Sequence, residues 1–410
     1  MPVATGVRGW AFLSGPLLRD PRRSWAVVAA ALCLAPPVAS AQSVPSDIQW
    51  PPSSVSAART ISLLAQPTLT LGSASGPDHL LLSGVVGVAL LSDGGVAIAD
   101  GSSQRIVFFD AGGQFQRAVG RLGDGPGEFR FLRWFGRCGG GVLAAYDGAP
   151  PSLTTMSEEG EFSHRSLLPA SLSFQTPIAC RGPDRILFLL QGPSVASPPG
   201  RFVIAPTAVI RLDDRRRVDT LAVGVGQVYY FATRTPDAYA DVPLRPTTLA
   251  AAGPSRLFVI ESALDTIRVL NAATDSTTTI TLGLRRLPMT RSHWERGVRD
   301  RRAREPLERT RRILDGVLGE LGPARELPLV AELVADASDL LWVKTFDNYL
   351  TPFAVWLIVA PDGRVLARAV APAALRPLEI GRDYLIGVSY DADGVETVVL
   401  HKFRPISGGR

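Results

Sequence analysis

The chain has 410 residues, of which 46% are hydrophobic and 20% charged; that balance excludes an intrinsically disordered chain and suits one large domain or two ordinary ones. The formal charge of +5 comes almost wholly from arginine, with lysine only at 344 and 402, and no basic stripe interleaved with stacking aromatics marks a nucleic-acid surface. With 39 Gly and 33 Pro, the composition fits many short strands joined by tight turns.

In chain order, the first element is a targeting signal. Arg22 and Arg23 precede an apolar run over 25–34, and Ala39-Ser40-Ala41 offers a small-x-small cleavage site. The run is short for a bilayer span, so residues 1–41 read as a signal peptide, with an uncleaved anchor as the alternative. Residues 42–60 read as a linker. No second long apolar segment follows, so a processed chain, with net charge about +2 by the same count, is expected in the periplasm or outside the cell with no transmembrane segment.

Residues 93–120 show a repeating unit: a turn at Asp93-Gly94-Gly95, a strand over 96–100, a turn at Gly101-Ser102-Ser103, a strand over 105–110, a turn at Ala111-Gly112-Gly113 and a strand over 115–119. The same grammar returns with second strands over 142–147, 186–190, 257–261, 340–345 and 384–390, giving six units of antiparallel meander. The sixth unit lacks an outer strand, and a spare strand stands at 67–71. Pairing the two would close a circle of sheets and remove two exposed edges. The expected fold is therefore all-β: a six-bladed β-propeller over 61–404, closed by the N-terminal strand, with a short tail at 405–410. Residues 191–207 interrupt the third unit. Residues 289–327, Arg-rich and with Trp294, Val298, Leu307, Ile313, Leu314, Val317, Leu318 and Leu321 at helical spacing, form a helical insertion between the fourth and fifth. Pro306 divides it.

The stretch 95–100, with Gln104-Arg105-Ile106, Phe109-Asp110, Gly113-Gln114-Phe115 and 125–129 (Gly-Pro-Gly-Glu-Phe), resembles an NHL repeat, and with it the bacterial secreted six-bladed β-propellers. The resemblance is tight over about one blade. It implies the fold, and it implies little about activity, because propellers host unrelated functions.

Strand direction alternates within a blade, so turns between second and third strands share a rim with the loops between blades. That places 101–104, 147–152, 191–207, 261–265 and 346–352 with 120–130, 224–243 and 283–327 on one face, where function is expected to concentrate. The bland alternative is that these insertions cover a channel mouth. Asp100, Asp147 and Glu261 end equivalent strands, either as turn caps or as acids for a cation or for proton transfer. Asp347-Asn348 resembles the acid-plus-amide metal site of gluconolactonase-like propellers, against the simpler reading of a surface turn. His79, His164, His293 and His401 are dispersed and share no repeat position, which argues against zinc. No Gly-x-Ser-x-Gly elbow is present. Cys138 and Cys180 precede second strands of neighbouring units and are either a disulfide or two separate thiols. Tyr229-Tyr230-Phe231 falls in an interblade loop, as a partner anchor or as packing for the insertion. Arg133, Gln175 and Arg245 are placed by repeat register at the channel mouth, where they would favour an anionic ligand. Nine arginines against four acids over 291–312 make a solvated helix face or a contact for an acidic partner. The expected function is a binding or scaffold module for a protein, peptide or glycan on this face, with no cofactor. The alternative is a metal-dependent periplasmic hydrolase or lactonase holding calcium or another divalent cation.

Overall fold

The computed structural model describes residues 45, 48–51, 59–139, 141–182, 185–192, 197–213, 215–235, 238–271, 274, 276–303, 305, 307–391 and 393–406. The signal reading over 1–41 and Pro306 lie outside them. Two short strands come first, β1 (Thr60–Ser62) and β2 (Leu69–Leu71). The first sheet is β3 (Val85–Leu90), β4 (Val96–Asp100), β5 (Arg105–Phe109) and β6 (Phe115–Val119). The second is β7 (Leu132–Cys138), β8 (Val142–Gly148), β9 (Pro151–Met156) and β10 (Phe162–Leu167). The third is β11 (Thr176–Cys180), β12 (Ile186–Gln191), β13 (Phe202–Leu212), β14 (Val218–Phe231) and β15 (Tyr239–Asp241). The fourth is β16 (Thr248–Ala252), β17 (Arg256–Glu261), β18 (Thr266–Asn271) and β19 (Thr277–Thr281). Helices α1 (Arg291–Ala303) and α2 (Glu308–Leu318) follow. The fifth sheet is β20 (Val330–Ala335), β21 (Leu341–Thr345), β22 (Phe353–Val359) and β23 (Val365–Pro372), and the sixth is β24 (Arg376–Ile380), β25 (Tyr384–Tyr390) and β26 (Glu396–Lys402).

Two strands join sheets distant in sequence. β2 pairs antiparallel with β26, Leu69 opposite Leu400 and Leu71 opposite Val398, and becomes the outer strand of the sixth sheet. β1 adds in parallel to β23, with Ile61 opposite Ala369, so the fifth sheet has five strands. The described part of the expected linker is thus built into the structure. Ile48 is buried with Val355 and Val370, and Trp50 lies under the Arg368 guanidinium at 4.0 Å. Its aromatic and apolar side chains find partners on the fifth sheet, which composition alone did not reveal.

The sheets pack face to face, and this explains the sequence pattern. A core cluster lies between the first and second sheets (Phe108 with Phe135), the second and third (Tyr146 with Phe188), and the third and fourth (Val209 with Val259). Others lie between the fourth and fifth (Phe258 with Leu341), the fifth and sixth (Trp356 with Leu385), and the sixth and first (Val388 with Ile98). The first strands touch in order, β3 to β7, β11, β16, β20 and β24, and β24 touches β3. A strand buried on both faces reads as a continuous apolar run, as β4 does, instead of an alternating one. The outermost β6 and β19 are exposed along most of their length.

One irregularity recurs. In β3, β7, β11, β20 and β24 the pairing with the second strand slips by one residue, leaving Val86, Arg133, Ile178, Ala331 and Leu378 as the extra residues of β-bulges. Only the β16–β17 pairing is regular among the six.

The third sheet departs most from expectation. The stretch 191–207 is not all loop, since β13 begins at Phe202, and Tyr229-Tyr230-Phe231 ends β14 instead of lying in a loop. The ladder runs on because Phe202, Val203 and Ile204 face Tyr230, Tyr229 and Val228 across it, residues that fit a pleated surface. β15 then pairs with the extended end of β14.

Cys138 and Cys180, at the ends of β7 and β11, are joined by a disulfide with Cα atoms 4.6 Å apart, and it encloses a sequence separation of 42 residues. Unfolded, unreduced protein is expected to expose no reactive thiol from this pair, and replacing both cysteines with serine is expected to lower stability by about 2–4 kcal/mol in urea unfolding. Leu71 is fully enclosed between the sixth and first sheets. Leu71→Ala is expected to cost about 2–5 kcal/mol in the same measurement; an unchanged midpoint would show that the closing strand contributes nothing.

Candidate binding face

The two rims are built differently. At one, the hairpins carry Asp-based turns. Asp110 Oδ1 accepts from the Gly112 and Gln114 amides, Asp213 from Arg215 and Arg217, and Asp336 from Ser338 and Leu340. These turns are short and closed on themselves.

At the other rim, the chain arriving at the first strand of the first, second and fourth sheets is tied to the turn between second and third strands. Gly101 donates to the Gly84 carbonyl, Gly148 to Phe131, and Ser262 to Thr247. Asp147 is fully buried and accepts from the Arg130, Phe131 and Ala149 amides at 2.8, 2.9 and 3.1 Å. Asp100, equally buried, accepts from the Ser102 and Ser103 amides at 3.1 Å and pairs with Arg105 at 3.5 Å. These two acids therefore cap turns, which is what their repeat positions call for. Sequence reading missed Gln104, whose Oε1 accepts from the Leu132 amide at 2.7 Å and carries the arriving chain into the second sheet.

The additions gather on this second rim. Tyr230 joins Trp294, Leu314, Val317 and Leu318 of the helices and Phe346 in one apolar cluster. The Glu320 carboxylate accepts from the Thr233 and Arg234 amides at 2.8 Å, the Thr233 hydroxyl at 2.7 Å and the Tyr230 hydroxyl at 3.2 Å. Those donors hold its pKa down to about 2. Arg301 of α1 grips Asp241 of β15 with its Nε 2.8 Å from both oxygens. The aromatic pairs Tyr229–Tyr239 and Phe231–Tyr239 lie on the opposite face of the extension, so Tyr229 and Tyr230 are divided between two surfaces.

The remaining expectations sort by what each side chain touches. Gln175 does not aim freely into a mouth: its Oε1 accepts from the Gln191 amide at 2.8 Å and its Nε2 donates to the Gln191 carbonyl at 3.4 Å, clamping the first and second strands of the third sheet. Asn348 does the same for Gln49, donating to its carbonyl at 2.6 Å and accepting from its amide at 3.1 Å, while Asp347 pairs with Arg285 at 2.9 Å. Acid and amide are thus engaged by protein partners, and among the described residues no group of three His, Cys, Asp or Glu converges as a metal site. His293 closes a capping box on α1: its Nδ1 accepts from the Thr290 amide at 3.1 Å, and Thr290 Oγ1 accepts from the His293 amide at 3.3 Å. His79 stacks on Phe115 at 4.2 Å, and burial pushes the pKa of His401 down.

Arg133 and Arg245 remain. Arg133 is the bulged residue of β7, and its guanidinium lies 5.1 Å from the Phe131 ring centre. Arg245 enters the fourth sheet with its guanidinium 5.2 Å from the Phe202 ring centre, its Nε buried with no hydrogen-bond partner among the described residues, and its pKa lowered by burial.

No family model and no curated protein matches the chain. Solved structures do. They include a member of the DUF4221 family from Bacteroides vulgatus, at 10% identity and TM-score 0.44 over 82% of this chain and 96% of that one. Virginiamycin B lyase from Staphylococcus aureus matches at 10% identity and TM-score 0.36, covering 81% and 98%. A calcium-binding protein, regucalcin, from Agrobacterium tumefaciens matches at 9% identity and TM-score 0.36, covering 85% and 99%. These likenesses speak to neither ligand nor reaction. No helix among the described residues is long and apolar enough to cross a membrane.

The Glu320 latch sets a pH dependence. Its folded pKa is depressed, so its contribution is complete above the ordinary carboxyl value of 4.5 and is lost as pH falls through about 2. Amide protection in α2 and at the end of β14, corrected for intrinsic exchange, is expected to fall across that window. In Glu320→Gln the fall is expected to disappear.

Proposed function

We propose that this chain is an exported six-bladed β-propeller that serves as a binding module through its elaborated rim. Six sheets in sequence order, a core cluster between each successive pair, the contact from β24 back to β3 and the β2–β26 pairing support the propeller. The basic, apolar and small-residue pattern of the first 41 residues supports export.

The asymmetry of the rims carries the functional reading. A bare propeller needs only tight turns at both ends, and one rim has them. The other bears the two-helix insertion, the extension of β13–β15 and the docked segment at 48–51, locked together by Glu320, Arg301–Asp241, Arg285–Asp347 and Asn348–Gln49. Loops held rigid on a scaffold are where recognition is placed. The partner in this reading is a protein, peptide or glycan. Nothing favours a metal-dependent hydrolase over it, since Asp347 and Asn348 spend their polar atoms on Arg285 and Gln49.

A photo-crosslinking residue placed at Phe174 or Leu350 on the elaborated rim, and at Glu159 or Asp362 on the plain one, tests this in cells. Discrete adducts are expected from the first pair alone. Equal adducts from both rims, or none from Phe174 and Leu350, would count against the reading.

A further inference from the structure

Every described half-buried arginine except two is engaged. Arg59 donates to the Pro405 carbonyl, Arg105 to that of Asp78, Arg165 to those of Asp124 and Gly125, and Arg181 to those of Gly253 and Arg256. Arg211, Arg256 and Arg301 pair with Asp219, Asp339 and Asp241. Arg296 pairs with Asp300, Arg311 with Glu308, and Arg368 donates to the Thr60 hydroxyl. Arg133 and Arg245 have neither a carboxylate nor a hydrogen-bond acceptor among the described residues. Withdrawing a guanidinium from water without supplying an acceptor is costly, and a chain that pairs its other half-buried arginines has left these two open.

Both sit at the same end of the structure. Arg133 is in the opening residues of β7, and Arg245 lies three residues ahead of β16, with the Gln175–Gln191 clamp of the third sheet between them. Each is laid against a phenylalanine, an arrangement that fixes the guanidinium plane and leaves its N–H edge available for a carboxylate. The bulge that makes Arg133 the extra residue is itself a device for re-aiming a side chain. The neighbouring rings are open to solvent: Phe131 is 40% exposed, Phe174, packed edge-on against it at 5.3 Å, is 54% exposed, and Phe202 is 49% exposed. Cationic forks beside exposed apolar rings complement acidic side chains alternating with apolar ones.

We propose that Arg133 and Arg245 form a two-point anion site for an extended acidic peptide segment, with Phe131, Phe174 and Phe202 receiving its apolar side chains. This rests on the binding-module reading and names the partner class.

The test uses fluorescence anisotropy with the full protein and a short labelled peptide alternating Glu and Leu. The same peptide with Gln for Glu and a labelled oligogalacturonate serve as comparisons. The Glu–Leu peptide is expected to bind, and the Gln–Leu peptide to bind at least about tenfold more weakly. Arg133→Gln and Arg245→Gln are each expected to weaken the Glu–Leu peptide by about tenfold or more, Arg245→Lys nearly as much, and Phe174→Ala less. Arg291→Gln, at a position 88% exposed on the insertion, is expected to leave it unchanged. Unfolding midpoints of the variants establish that they are folded. Equal binding of the Glu–Leu and Gln–Leu peptides, or an unchanged affinity in folded Arg133→Gln and Arg245→Gln, would overturn the site. Preference for the oligogalacturonate with the same arginine dependence would overturn the peptide and keep the anion chemistry. Failure here alongside adducts from Phe174 and Leu350 sinks this inference alone; failure of both sinks the binding-module reading as well.

Discussion

Three residue pairs hold the architecture to one solution: Leu69, Thr70 and Leu71 against Leu400, Val399 and Val398. Six sheets stacked face to face leave the first and the last needing each other, and no turn connects them. β2 supplies a strand from the start of the array to the sheet at its end, and the same strand places Leu71 in the core between the two. The cost is entropic, because contacts separated by most of the chain must form together. The gain is that no sheet face at that junction meets water.

Three further junctions are secured on the plain rim by covalent or polar ties of different kinds. The second and third sheets have the disulfide, the third and fourth have Arg181 donating to two carbonyls, and the fourth and fifth have Asp339 accepting from Ser255 and Arg256. Arg137 of the second sheet reaches Glu158 at 2.9 Å and Glu379 of the sixth at 3.7 Å, spanning the first sheet that lies between. Burial holds the Glu379 carboxyl above its ordinary pKa, against the lowering by the Tyr384 hydroxyl and the Arg137 guanidinium. With that end fastened, the opposite rim is free to carry the helices and the extended hairpin.

Strand positions were legible because burial on both faces writes an unbroken apolar run, as over 96–99 and 340–343, and because Asp and Gly mark the turns. The helices were legible from the spacing of Trp294, Leu314, Val317 and Leu318. The ends of β13 and β14 were not. Their extension depends on pairing between Phe202–Ile204 and Val228–Tyr230, which no local pattern encodes, and Pro206 inside β13 reads as a break. Of the site, the sequence indicated Arg133 and Arg245 by register alone. It could not show that Gln175 is consumed by Gln191, or Asn348 by Gln49, because both clamps join residues brought together only by the fold.

The five bulges have a consequence for how such a protein can change. Val86, Arg133, Ile178, Ala331 and Leu378 are surplus to the ladders that hold their sheets, and each stays outside the fully buried layers. Their chemistry already ranges from a methyl group to a guanidinium. The hydrogen-bonded pairs on either side do not pass through them, and Val86, Ile178, Ala331 and Leu378 lean on hydrophobic clusters, whereas Arg133 lies against the exposed Phe131 ring. Arg133 is thus the one of the five whose chemistry can drift without disturbing either a ladder or a hydrophobic cluster.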